Sequence, residues 1–83
     1  MQWDIGHFAH NFWPNRRGFE AGFYGLLCYG YSNYVTHMNS GYHDLHENFK
    51  NEFDADGYST TLFMSRAVSI ITTHRPTEPL LLY

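Results

Sequence analysis

The stretch at positions 13–20, WPNRRGFE, restricts the backbone more than any other part of this sequence. Pro14 fixes its own φ and biases the residue before it toward an extended backbone. Gly18 can adopt a positive φ at little steric cost, so the chain can turn sharply there. Arg16 and Arg17 are adjacent and cannot both point the same way from an extended backbone. We therefore expect a turn that anchors a strand, with one arginine at an acid or the core rim and the other facing water.

The length and composition of the chain limit its stability as an independent unit. Its 83 residues allow one small domain at most, and such a domain buries only roughly 60–65% of its unfolded surface. The single cysteine, Cys28, cannot form an internal disulfide. Aromatic residues make up 19% of the chain, whereas charged residues make up 16%, against roughly 25% in typical domains. This balance favours a piece of the interior of a larger fold, and an obligate oligomer would have the same composition.

Charge and hydropathy argue against two classes of partner. The net charge is −3 and only five residues are basic, so the chain has no basic footprint for nucleic acid. No apolar run approaches the ~20 residues of a membrane helix, so we expect no membrane span. The amino terminus, Met-Gln-Trp-Asp, lacks a basic region and a long apolar region, so we expect no signal peptide.

The first half of the chain is predicted to form one strand and one long loop. Aromatic, small and apolar residues alternate over positions 19–29, and this period of two indicates a strand. Gly22, Gly25 and Gly30 interrupt it and suggest a bulge or a close backbone approach. Residues 30–57 show no sustained period, so we expect a long surface loop. Because such a loop is unusual in a compact domain, it counts against the chain being a complete unit.

The second half is predicted to form a helix and the start of a buried strand. Ser59 is the expected N-cap of a helix over residues 59–74, and Pro76 stops that helix. Arg66 and Ser69 are placed outside its apolar face, whose predicted members are Leu62, Phe63, Ala67, Ile70 and Ile71. The apolar run at 79–83 is typical of a buried parallel strand.

Two motifs together resemble the sulfatase family, most closely its arylsulfatase B-like branch. That branch has a Gly-Lys-Trp-His-Leu-Gly segment followed, several residues later, by Pro-x-Arg-Arg-Gly-Phe-Asp. In this sequence the matching residues are Trp3, Gly6, Pro14, Arg16, Arg17, Gly18 and Phe19, with Glu20 in place of Asp. Later stretches resemble the helix and following strand of the same branch: 58–60, 66–67, 70–72, His74 and 79–80.

The resemblance implies an α/β fold of the alkaline-phosphatase-like type, of which residues 1–83 would be a partial sulfatase domain and no complete domain. The remainder of the sulfatase domain would then be the partner of this chain, and a sulfate ester the substrate of the parent protein. Members of the family convert the cysteine of a Cys-x-Pro-x-Arg motif to formylglycine. They hold a calcium ion with Asp and Asn residues, and Lys and His side chains help to neutralise the sulfate oxygens. The family is usually secretory, lysosomal or extracellular.

This sequence departs from the family pattern at the positions that carry chemistry. The residues after Cys28 are Tyr-Gly-Tyr, which lack the Pro and Arg of the nucleophile motif, so Cys28 is interpreted as a small apolar strand residue. The family Lys and His positions are Gln2 and Asp4 here, and neither receives a catalytic role. Arg16 and Arg17 are interpreted as structural clamps, and a substrate contact is the lesser alternative. The chain alone is expected to be inactive.

Two other functions remain open. Gln2 and Asp4 favour a degenerate, non-catalytic sulfatase relative with a binding or structural role. A small histidine-rich metal-binding module is the further alternative, although no cysteine pair supports zinc. Its candidate ligands are His7, His10, His37, His43, His46 and Glu47. The order of residues 43–47, HDLHE, matches neither of the common His-Glu zinc motifs.

Overall fold

A computed structural model describes residues 3, 5–19, 22–27, 33, 35–39 and 41–83 of the chain. Within them lie short antiparallel strands and one long helix, so the predicted mixture of short strands and a single amphipathic helix is confirmed in outline. The strands are β1 Tyr24–Leu26, β2 Met38–Asn39, β3 Tyr42–His43, β4 Leu45–Glu47 and β5 Lys50–Asn51, and the helix is α1 Ser59–Thr73. Two 3₁₀ turns, His10–Phe12 and Pro14–Arg16, precede β1.

The larger sheet has the order β1-β4-β5, and β2 and β3 form a separate hairpin. β1 pairs antiparallel with β4, so that Leu26 lies opposite Leu45, and both side chains are completely buried. Such a cross-strand apolar pair is the main source of stability in a sheet this small. The predicted strand over residues 19–29 is therefore real but shorter, and Cys28 and Gly30 lie outside the described residues.

The prediction of an unstructured loop over residues 30–57 is wrong, because β2 to β5 all lie in it. These strands have only two or three residues, which is too short for an alternating pattern to be visible in the sequence. Turn residues connect them. Asn48 adopts φ of +56° between β4 and β5, where Glu47 pairs with Lys50, and this is the conformation that two-residue hairpins require. Gly41 adopts φ of +87° just before β3.

Helix α1 occupies the predicted range but differs in its cap and its face. Tyr58, not Ser59, is the N-cap residue, and no side chain caps the first turn. Ser59 is already helical, and its buried hydroxyl has no hydrogen-bond partner. Ile71 is 59% exposed, whereas Arg66 lies on the packed side. The physical reason is that α1 packs through a narrow stripe centred between Phe63 and Ile70, and Ile71 lies at its edge.

The terminal run at 79–83 is not a strand, contrary to the prediction. Leu81 and Tyr83 are 79% and 67% exposed. An apolar run becomes a buried strand only when neighbouring strands pair with it, and no described strand does so. The Tyr83 ring instead lies 6.4 Å from the ring of Phe19, measured between centroids.

The core lies where the first 19 residues pack against the two residues that flank β1. Its buried cluster consists of Trp3, Trp13, Phe23 and Leu27, with Phe19 and Phe49 packed against it. No helix within the described ranges has the length and apolar run that crossing a bilayer would require.

The first prediction concerns the isolated chain, which we expect to melt without a cooperative transition. Its described core has six buried apolar side chains, and no disulfide supports it. Units of this size seldom bury enough surface to offset the entropy of folding. The test is thermal melting followed by near-ultraviolet circular dichroism. A sharp sigmoidal transition of a monomer would contradict the prediction.

Candidate functional site

The turn at residues 13–19 is built by the two residues with restricted backbones. Trp13 is extended, with φ of −74° and ψ of 156°, and Pro14 begins the 3₁₀ turn that ends at Arg17. Gly18 adopts φ of +99°, as predicted from its lack of a side chain. The amides of Arg17 and Phe19 both donate to the carbonyl of Pro14, at 2.9 and 3.1 Å. This turn directs the following residues toward β1.

The structure brings the two motifs of the resemblance into contact at Trp3, whose ring meets that of Phe19 edge to face at 6.3 Å between centroids. The Trp3 Nε1–H donates to the carbonyls of Gly6 and Phe12, both at 2.9 Å. Gly6 adopts φ of +121°, and a Cβ at this position would lie 3.2 Å from the Cβ of Phe12. A side chain at Gly6 is therefore excluded both by the backbone conformation and by the close approach. The indole of Trp13 likewise donates to the carbonyl of His7, at 2.9 Å.

Arg16 and Arg17 are both exposed, and each guanidinium lies over an aromatic ring. The Arg16 guanidinium is 5.6 Å from the centroid of Phe49, and that of Arg17 is 5.5 Å from the centroid of Phe12. Arg17 also donates from Nε to the carbonyl of Asn11, at 3.1 Å. Phe49 packs against the core cluster, so Arg16 lies at its rim, whereas the Phe12 ring under Arg17 is itself 40% exposed. Guanidinium groups stack well on aromatic faces in either setting.

An asparagine pair that sequence analysis missed ties this turn to the sheet. Asn15 is buried and donates from Nδ2 to Oδ1 of Asn48, at 2.9 Å. The same oxygen accepts from the amide of Phe23 at 3.0 Å, and the Asn48 amide donates back to the Phe23 carbonyl at 2.7 Å. Asparagine tolerates a positive φ better than most residue types, so Asn48 could have been recognised in the sequence as a turn residue.

An open groove of about 290 Å³ lies between α1 and the sheet. Its lining residues are Tyr24, Glu52, Leu62, Ser65, Arg66 and Ser69. The Arg66 guanidinium stacks on the Tyr24 ring, 4.6 Å from its centroid, and forms an ion pair with Glu47. Because both charged groups are more than a third exposed, the ion pair contributes little to stability. Arg66 is three and four residues from Phe63 and Leu62, so helical spacing could have placed it on this face.

Burial raises the pKa of the Tyr24 phenol in this groove. The positive charge of Arg66 opposes the rise, and the carboxylates of Glu52 and Glu47 add to it. Tyr24 therefore stays protonated at neutral pH and can act as a hydrogen-bond donor. With a paired arginine and two serines beside it, the groove can hold a small polar group, but it contains no activated nucleophile.

Three of the histidines that suggested a metal site hydrogen-bond to backbone carbonyls. His37 Nε2 lies 2.8 Å from the Gly57 oxygen, His43 Nε2 2.5 Å from the Glu52 oxygen, and His46 Nδ1 2.6 Å from the Asp44 oxygen. Such a bond occupies one ring nitrogen and leaves the other available, so it does not by itself exclude a metal. The His10 ring meets the Trp13 ring edge to face at 4.6 Å between centroids and is tilted against the Phe49 ring at 4.7 Å.

Among the described residues, no three side chains of the His, Cys, Asp and Glu types come together to hold a metal ion. Calcium needs six to eight oxygen ligands, so the described part of the chain does not fit the ion that the sulfatase resemblance implies. Gln2, Asp4, Glu20 and Cys28 lie outside the described residues.

Comparison with curated proteins supports a relationship of this chain to the sulfatase family. Arylsulfatase J of Mus musculus is 38% identical to it over 90 aligned residues. The alignment covers 99% of this chain but only 14% of that protein, so the chain spans a small part of the relative it matches. No family model matches the sequence, and no solved structure does.

The second prediction tests the asparagine pair in a chimera, which we define as mouse arylsulfatase J with its aligned segment replaced by this chain. Asn48→Gly keeps the positive φ but removes the shared acceptor. We expect it to lower the free energy of unfolding by about 1–3 kcal/mol, because the buried Asn15 amide loses its partner. Urea denaturation of the chimera measures this.

Asn11→Gly is the matched control, because Asn11 is exposed and its hydrogen bond from Arg17 goes to the backbone carbonyl, which the substitution keeps. Equal losses for the two variants would contradict a specific role for Asn48.

The third prediction concerns pH. Burial lowers the pKa of His46 from its ordinary value of 6.5, and the nearby His43 lowers it further. The hydrogen bond to the Asp44 carbonyl, the Asp44 charge and the hydrogen bond to Asn51 oppose this shift. The unfolded chain therefore binds a proton at higher pH than the folded chain does. The stability contribution of neutral His46 is complete above pH 6.5 and is lost as the pH falls toward the folded pKa.

Melting of the chimera between pH 8 and pH 5 tests this. His46→Asn preserves a donor but does not titrate, so its melting temperature should fall less than that of the unmodified chimera over this range. An identical pH dependence in the two proteins would contradict the prediction.

Proposed function

We propose that this chain is an internal segment of an arylsulfatase-like sulfuric ester hydrolase of the arylsulfatase B-like branch, with an alkaline-phosphatase-like fold. Residues 1–83 are a partial sulfatase domain, and the remainder of that domain is their partner. The observation that carries the proposal is the 38% identity that extends over 99% of the chain. A chance match would not include nearly every residue.

The role of the segment within such a domain is structural. In support of this role, the motif residues make packing contacts and backbone turns. Trp3 and Pro14 are buried, Gly6 and Gly18 adopt positive φ, and Phe19 packs against the core cluster. The guanidinium of Arg16 rests on Phe49 beside this cluster, as a clamp would, and that of Arg17 rests on the more exposed ring of Phe12.

The chemistry of the parent protein comes from outside this segment. By resemblance, formylglycine and calcium supply the nucleophile and the neutralising charge for sulfate ester hydrolysis. This sequence has no Cys-x-Pro-x-Arg motif, and we therefore expect this chain alone to be inactive toward sulfate esters. Its contribution is to hold the Trp3 and Trp13 turns and the β1–β4 pair in a fixed arrangement.

A degenerate sulfatase relative without catalysis is the second candidate. The specific observation that favours it is the presence of Gln2 and Asp4 where the family pattern has Lys and His. A histidine-rich metal module has less support, because among the described residues no three side chains of the His, Cys, Asp and Glu types lie together.

The chimera tests whether the segment belongs in a sulfatase domain. We expect it to be soluble and to melt cooperatively, because the relative supplies the surfaces that this chain lacks. A second chimera in which the 83 residues are inserted in shuffled order is the control and should not fold. Failure of the first chimera to fold would contradict the proposal.

The fourth prediction concerns Gln2 and Asp4 in the same chimera, expressed with the formylglycine-generating system. Each preorganised donor that is missing near developing charge typically costs about 10²–10³ in rate. The double change Gln2→Lys with Asp4→His should therefore raise turnover of an aryl sulfate ester at least about tenfold. Steady-state kinetics measures it.

Asp4→Asn is the matched control, because it removes the negative charge without adding a cation, and it should give a smaller gain. High activity of the unmodified chimera, with no gain from the double change, would show that these two positions do not face the sulfate.

A further inference from the structure

Helix α1 has a second apolar face that nothing in the described structure covers. Met64, Val68 and Ile71 are 61%, 54% and 59% exposed. Their spacing of four and three residues places them in one row on the helix. The packed side of α1 adjoins this row at Ile71, and there Phe63 meets the ring of Tyr24 edge to face at 6.1 Å between centroids. We call the row of Met64, Val68 and Ile71 the outer face.

The outer face carries no charge. The one charged residue of α1 is Arg66, which lies on the packed side and is paired with Glu47. The residues that border the row are Thr60, Thr61 and Thr72, and Thr72 directs its hydroxyl to the carbonyls of Val68 and Ser69. Together with the packed stripe, the row makes an apolar surface that covers more than half of the helix circumference, which is typical of a helix that is packed on more than one side.

The lack of charge and the aliphatic side chains of the outer face indicate what kind of surface can pack against it. A helix that lies on a membrane surface has Lys and Arg along its polar side, and α1 has none there. An acidic or basic partner would find no complementary charge on the outer face. An uncharged, aliphatic row of this kind matches the apolar side of another helix or sheet.

We infer that the outer face docks against an apolar surface supplied by the remainder of a sulfatase-like domain. The inference rests on the proposed function and extends it by naming the surface through which the segment joins its partner. The alignment leaves most of the relative outside the matched 14%, so that protein has ample chain to supply such a surface. α1 is then an interior helix with sheet β1-β4-β5 on one side and partner chain on the other.

Oxidation of Met64 by dilute hydrogen peroxide tests the inference without requiring a destabilised variant. Oxidation depends on the access of peroxide to the sulfur, so Met64 in the isolated chain should react nearly as fast as a methionine in a short peptide. In the folded chimera we expect its rate to fall about tenfold or more, because the docked surface excludes solvent. Mass spectrometry of the peptide that contains Met64 gives the rate in each protein.

A pair of substitutions in the chimera provides the second measurement. Val68→Asp would place an unpaired carboxylate in the docked interface, so soluble yield should fall about tenfold or more. Ser69→Asp is the matched control, with the same new side chain one residue away on the groove side, and should leave the yield within about twofold.

The outcomes separate this inference from the proposed function. A folded chimera in which Met64 stays fully reactive and Val68→Asp is tolerated overturns the inference and leaves the proposed function standing. A chimera that does not fold overturns both. Protection of Met64 in the isolated chain, together with dimers in sedimentation, would show that a second copy occupies the outer face and would overturn the assignment to the remainder of the domain.

Discussion

The first half of the molecule depends on the contacts that the buried indole of Trp13 makes. Its Nε1–H bonds to the carbonyl of His7, and its ring packs on His46 and Phe49. It therefore joins the amino-terminal turns, the strand β4 and the β4–β5 hairpin in one place. Because an aromatic ring of this size buries a large apolar area and also satisfies a polar group, no smaller side chain could replace it.

The parts of the fold that could be predicted from the sequence are those whose signals are local. Helix α1 was recognisable because fifteen residues give several turns of periodic pattern, and Gly18 because only its backbone suits the turn. Strands β2 to β5 could not be recognised, since two or three residues carry no measurable period. Their existence depends on pairing partners and on Asn48, and pairing is a property of the folded chain.

The contacts of single residues in the candidate site were also difficult to predict from the sequence. The stacking of Arg16 and Arg17 on aromatic rings depends on Phe49 and Phe12, which the sequence does not mark as their partners. Conversely, the position of Arg66 could have been found from helical spacing, because it lies in the middle of the packed stripe. The number of histidines says nothing about how they are arranged in space, and among the described residues no three potential metal ligands come together.

The hydrogen bond between Asn15 and Asn48 also bears on the order in which the chain folds. It joins residues 33 positions apart, so the entropy of closing that loop must be lost before the bond can form. Helix α1 contains only local bonds and forms within about a microsecond. We therefore expect α1 to exist early and the asparagine bridge to close late. Substitutions in the 13–19 turn would then change the folding rate only if they alter how readily strands β1 and β4 come together.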